Sequence, residues 1–175
     1  MTESRINIVQ GEFAVSEDPG AVISTLLGSC VSVCMFDTKR AVGGMNHFLL
    51  PGDNDGTGGI VQRHGVYLME LLINGLLKKG VDKRDLNAKI FGGANTVAGI
   101  VEQIGEKNIQ FAKRFLQAEG IPIVGESVGG NSGRRIQFWP SSGRARQAFI
   151  AAPADEMKIQ KALAATPVGG DVELF

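Results

Sequence analysis

Read for its apolar and polar positions, the chain opens in strand periodicity. Ile6 to Val15 comes close to alternating, the period-two pattern of an extended segment entering a fold. Asp18-Pro19-Gly20 is turn chemistry, with proline presetting φ and glycine accepting positive φ. Ala21 to Leu27 is a second predicted strand, rich in β-branched residues, and it stops at Gly28-Ser29. Cys30 to Asp37 (CVSVCMFD) is a third. Thr38-Lys39-Arg40 turns the chain, and Ala41 to Leu50 returns as a fourth strand ended by Pro51. Gly43-Gly44 within it predicts a bulge or a tight backbone approach.

The pattern then changes period. Residues 52 to 63 (GDNDGTGGIVQR) read as a long polar, Gly-rich loop, and Gly65 to Lys79 as a helix. Val66, Met69, Leu72, Ile73, Leu76 and Leu77 form its apolar stripe, widened by Leu68 and Leu71. Ala88 to Phe91 is a short strand running into Gly92-Gly93-Ala94-Asn95. A second helix fits residues 106 to 119, with Ile109, Ala112, Phe115 and Leu116 inward and Gly120 as its stop. Strands to about Ser127, over Arg134 to Trp139 and over Arg144 to Ile150 complete the pattern. Residues 155 to 164 read as weakly helical, and the final TPVGGDVELF is expected to be loosely attached. Strands first, with two helices inserted later, predict an α+β fold.

At 175 residues the chain fits one domain with a real core, expected over about residues 5 to 150. Lys plus Arg and Asp plus Glu number 18 each, which argues against a nucleic-acid surface built on bulk charge. Arg134, Arg135, Arg144 and Arg146 cluster in sequence and are expected as solvated residues on the faces of a hairpin. No apolar run approaches the roughly 20 residues that span a bilayer. The N-terminus lacks a basic stretch followed by an apolar core, and the helices are not basic and amphipathic. These features predict a cytoplasmic protein without membrane insertion.

Two cysteines and two histidines carry most of the available nucleophilic or metal-binding chemistry. Cys30 and Cys34 on one strand lie roughly 13 Å apart at about 3.3 Å per residue, too far for a disulfide. Cys30 follows a Gly-Ser turn, where backbone N–H groups are available to an oxyanion. Cys34 sits mid-strand between Val33 and Met35, the place of a small buried apolar residue. If Asp37 lies opposite Val42, Cys30 faces Leu49 and His47 is diagonal to it, at roughly 7–8 Å between Cα atoms. The same register makes His47 diagonal to Cys34, so spacing alone does not choose the thiol. Four-ligand metal binding by Cys30, Cys34, His47 and His64 is disfavoured by the sulfur separation. His64 reads as a surface or helix-start residue. Gly92-Gly93-Ala94 lacks the Lys-Ser/Thr of a phosphate loop and reads as close packing.

Five segments nevertheless form a specific series: TLLGSCVSVCMFD (25 to 37), GGMNHFLLPG (43 to 52), KIFGGAN (89 to 95), IGEKNIQFAKRFL (104 to 116) and ESVGGNSGRRIQF (126 to 138). In order and spacing they resemble the blocks of the CheD family over roughly residues 5 to 148, with the histidine 17 residues after the cysteine. The resemblance implies a bacterial enzyme that converts chemoreceptor glutamines to glutamate. It implies an α/β sandwich similar to deamidating toxin domains and a Cys–His–Thr triad, with no cofactor and no metal. Carried over, Cys30 is the nucleophile and His47 the base. The threonine six residues before the cysteine falls on Ser24, with Thr25 as the alternative. Ser29, Gly28 and Thr25 are further candidates for oxyanion or substrate contact. The implied partners are the cytoplasmic helices of methyl-accepting chemoreceptors and, in some family members, a CheC-type phosphatase. The second reading is therefore a regulatory binding module with little catalysis of its own.

Overall fold

Turns and glycines divide the chain into strands that sort into two sheets. The structure, a computed structural model, describes residues 2–50, 58–95, 103–150 and 172–175. In chain order the elements are β1 (Ser4–Asn7), β2 (Phe13–Ser16), β3 (Ala21–Leu27), β4 (Val31–Asp37), β5 (Val42–Asn46), α1 (Gly58–Lys78), β6 (Asn87–Gly92), α2 (Ile104–Glu119), β7 (Ile123–Val128), β8 (Arg134–Trp139), β9 (Arg144–Phe149) and β10 (Val172–Leu174). One sheet has the order β1-β3-β8-β9-β10 and the other β2-β5-β4-β6-β7. The pairs β1–β3 and β6–β7 are parallel and the rest antiparallel. This is the expected α+β sandwich of mixed, largely antiparallel strands with two main helices.

Both helices cover the outer face of the second sheet, α1 over β2 and β5 and α2 over β4, β6 and β7. The layers are therefore sheet, sheet, helices, and β4 runs through the middle one, buried at every residue. Its alternation assigns the faces. Val31, Val33 and Met35 join the core under the helices. Cys34 and Phe36, with Cys30 just ahead of the strand, join the core between the sheets, beside Ile23, Leu27, Ile136 and Phe138 of the first sheet. Each such large apolar side chain contributes roughly 1.5–3 kcal/mol on full burial.

The glycine pair on β5 is a close approach. A Cβ at Gly43 would lie 2.5 Å from the Pro140 carbonyl oxygen, and one at Gly44 2.6 Å from that of Ala14. The β4–β5 register runs unbroken from Asp37 opposite Val42 to Cys34 opposite Met45, as the even-numbered turn predicts.

Several expectations are corrected. The first strand is two, in different sheets, separated by a Val9–Glu12 turn in which Gly11 has φ +88°. Helix α1 begins at Gly58, so residues 58–63 of the predicted loop are helical. Leu77 is exposed rather than part of the apolar stripe, whereas His64 is a surface residue as expected and lies within the helix. Arg134 is buried, its guanidinium donating to Ser127 and Gly129 and lying over the Phe149 ring. The end of the chain is docked. Residues 172–174 pair with β9, and Phe175 exchanges backbone hydrogen bonds with Ala145 and sets its ring edge-on to Phe91. Alternation over Val172-Glu173-Leu174 followed by a terminal aromatic suits an open sheet edge. The helix expected over residues 155 to 164 lies outside the described residues. No helix among the described residues is long and apolar enough to cross a membrane.

Candidate active site

Between β3 and β4 the chain passes from one sheet to the other through Gly28, Ser29 and Cys30. All three carbonyl oxygens of this crossing are held. Gly28 O accepts from Ala94 N at 2.9 Å, Cys30 O from Gly93 N at 2.8 Å, and Ser29 O from the Asn108 side-chain Nδ2 at 2.8 Å. The glycines at the end of β6 permit this contact. Gly92 has φ +107°, and a Cβ there would sit 2.2 Å from Cys30 O.

The ladder between β4 and β5 is extended by an isolated Val31–Phe48 bridge. Continuing that register places Cys30 opposite Leu49 and His47 diagonal to Cys30, as the spacing predicts. Thr25 reaches the imidazole from the other sheet. It shares the parity of Ile23 and Leu27, which face the gap between the sheets. Its Oγ1 lies 2.8 Å from His47 Nδ1 and donates to the Ile8 carbonyl at 2.7 Å. The hydroxyl on the histidine therefore belongs to Thr25. Ser24, the residue first expected there, has the opposite parity and lies on the outer face of β3. Its side chain is buried away from the imidazole.

Donor accounting then fixes the tautomer. A carbonyl only accepts, so the Thr25 proton goes to Ile8, and the Thr25 oxygen must accept from His47 Nδ1–H. Nε2 is left as the unprotonated nitrogen, and it is buried with no hydrogen-bond partner among the described residues. Burial lowers the His47 pKa from 6.5 to about 4, so the ring is neutral near pH 7. Cys34 is fully buried, and desolvation drives its thiol pKa far upward, leaving an inert packing residue. Among the described residues no three His, Cys, Asp or Glu side chains gather as a metal site would require.

A pH dependence of stability follows from His47. The unfolded chain binds the imidazole proton below pH 6.5, whereas the folded chain resists it down to about 4. Stability from the neutral ring is thus complete above pH 6.5 and is lost as pH falls toward 4, by roughly 3 kcal/mol in all. Urea unfolding at pH 7, 6 and 5 should show wild type losing stability faster than His47→Gln. Parallel pH curves would refute the burial effect.

Two side chains at the site escaped the sequence reading. Asn108 of α2 is wholly buried and ties the β3–β4 crossing to the segment after β5, donating to Ser29 O and accepting from Leu50 N at 2.8 Å. Its signal was an asparagine one turn before Ala112, on the inward face of an apolar stripe. Gln10, exposed on the Val9–Glu12 turn, places Oε1 3.8 Å from Cys30 Sγ. Only the adjacent Gly11 hinted at a turn there.

The CheD chemotactic sensory transduction family model matches residues 49–148. A protein of Agrobacterium fabrum named probable chemoreceptor glutamine deamidase CheD is 50% identical over 98% of this chain and 96% of its own. A protein of the same name from Acidiphilium cryptum is 55% identical over 98% of this chain and 93% of its own. One from Rhizobium meliloti is 58% identical over 82% and 79%. The hypothetical protein YfiH of Bacillus licheniformis is a distant backbone neighbour, with TM-score 0.43 and 15% identity over 66% of this chain and 49% of that one. On the family model and these relatives together, the chain belongs to the CheD family.

Proposed function

We propose that this chain hydrolyses the side-chain amides of specific chemoreceptor glutamines to glutamate, with Cys30 as nucleophile, His47 as base and Thr25 as the third member. The relatives' names supply the reaction class. The observation that carries the residue assignment is the Thr25–His47 bond. With the hydroxyl proton spent on Ile8, the imidazole keeps a bare Nε2 on the same inter-sheet face as Cys30.

The sequence of steps follows from that tautomer. Nε2 accepts the Cys30 proton, and the thiolate attacks the carboxamide carbon of a bound glutamine. The oxyanion that forms needs donors. In a trans peptide the N–H points opposite to the C=O of the same unit. Gly28 O and Ser29 O are held by Ala94 and Asn108, so the N–H groups of Ser29 and Cys30 are directed away from those partners. We assign those two groups to the oxyanion. The His47 imidazolium then protonates departing ammonia, and water, deprotonated by Nε2, opens the thioester to glutamate. Such a reaction on receptor cytoplasmic segments places the protein in the cytoplasm, where both thiols stay reduced.

The test is a deamidation assay on a purified receptor cytoplasmic fragment, read as peptide mass. Wild type should convert discrete glutamines. Thr25→Val keeps the shape but removes the Nδ1 acceptor, one hydrogen bond of about 0.5–1.5 kcal/mol, and should slow conversion about tenfold. Ser24→Ala should convert at close to the wild-type rate. Slowing by Ser24→Ala alone would reverse the assignment of the third residue. No conversion by wild type would refute the reaction itself.

A further inference from the structure

The thiol that the proposed reaction needs is already engaged, and a glutamine is among its partners. Gln10 Oε1 accepts from Cys30 Sγ at 3.8 Å, while His47 Nε2, set as an acceptor, has no hydrogen-bond partner among the described residues. In the free protein an amide oxygen thus stands where it can take the thiol proton. The Cys30 residue is only 3% exposed, whereas Gln10 is an exposed residue. An exposed polar side chain that reaches back to a buried sulfur is aimed there by its backbone.

That backbone is tightly fixed. Val9 O accepts from Glu12 N at 3.0 Å, and the Glu12 carboxylate accepts from Val9 N at 2.9 Å. The turn is also locked to the histidine, because Gly11 N donates to His47 O at 2.8 Å and His47 N to Glu12 O at 3.0 Å. The turn that carries Gln10 and the residue that carries the base are therefore one unit. The side chain on Cys30 has the same carboxamide head as the substrate.

We propose that Gln10 is a built-in occupant of the carboxamide subsite: its amide rests on Cys30 in the free protein, and a substrate glutamine enters by displacing it. This rests on Cys30 being the nucleophile. It adds that the incoming amide oxygen takes the place of Gln10 Oε1, and that displacement frees the thiol proton for His47 Nε2. Gln10 is a specificity-determining residue at the mouth of the site. It holds the site closed to anything that competes with its own amide less well than a receptor glutamine does.

The experiment measures two quantities in Gln10→Ala and Gln10→Glu: alkylation of Cys30 by iodoacetamide, with Cys30→Ala as the blank, and kcat/KM on the receptor fragment. Gln10→Ala should raise both about fivefold, the factor corresponding to loss of one hydrogen bond that competes with reagent and substrate. Gln10→Glu should lower alkylation below wild type, because a carboxylate beside the sulfur opposes the thiolate. A residue that only shapes the turn would not give opposite signs from two substitutions. Unchanged alkylation in both variants, or a fall in kcat at unchanged KM in Gln10→Ala, overturns the proposal. Failure of the nucleophile assignment is read separately, as deamidation retained by Cys30→Ala.

Discussion

Replacing Cys30 by alanine is expected to lower glutamine deamidation by roughly 10⁴-fold or more, with the fold retained. Without the thiolate only water can attack the amide, helped by whatever donors surround the oxyanion. The fold should survive because the variant loses one sulfur from the edge of the inter-sheet core, while the crossing that carries it is held through backbone groups of Gly28, Ser29 and Cys30. Cys34→Ala provides the contrast. That side chain is completely buried in the same core, its thiol held protonated by desolvation, and its truncation leaves a small cavity. The expected result is a loss of stability of about 1 kcal/mol at near wild-type activity. Peptide masses of a receptor fragment and thermal unfolding of both variants check this. Activity that disappears with Cys34 and persists without Cys30 would overturn the assignment.

The sequence was most legible where one physical rule acted alone. The even-numbered turn after Asp37 set the β4–β5 register, and with it the diagonal relation of His47 to Cys30. It was least legible where two rules overlapped. Near-alternation continues through Val9–Glu12, so one predicted strand concealed a turn and a change of sheet. The first turns of α1 contain paired glycines, whose low helix propensity reads as loop. Ser24 and Thr25 were hard to separate because every residue of β3 is buried, so period-two alternation does not say which face looks toward the histidine. Block spacing pointed to Ser24. Parity with Ile23 and Leu27 brings Thr25 to the imidazole instead. The docked C-terminus was missed for a related reason, since four residues after a long Gly- and Pro-containing stretch carry too little pattern to announce a strand.

The second large effect is expected at Asn108, which bonds the backbone beside the thiol and beyond the imidazole. Asn108→Asp should lower kcat by about 10²–10³-fold at neutral pH, the usual loss on removing an oxyanion donor, with little change in KM. Asn108 Nδ2 holds Ser29 O, which aims the N–H of the Ser29–Cys30 peptide, and Asn108 Oδ1 holds Leu50 N three residues beyond His47. Aspartate keeps the acceptor for Leu50 but turns an acceptor toward Ser29 O, so the peptide plane loses its anchor and its N–H loses its direction. The site is wholly buried, which raises the pKa of a carboxyl group placed there. Protonation restores a donor of nearly the original shape. The kcat of Asn108→Asp should therefore rise as pH falls toward the pKa of the new carboxyl, over a range in which wild type does not gain. Iodoacetamide alkylation of Cys30 should stay close to wild type, because the thiol and His47 are untouched. A uniform loss of kcat, alkylation and thermal stability at every pH would instead make Asn108 a packing residue and remove the support for Ser29 and Cys30 N–H as oxyanion donors.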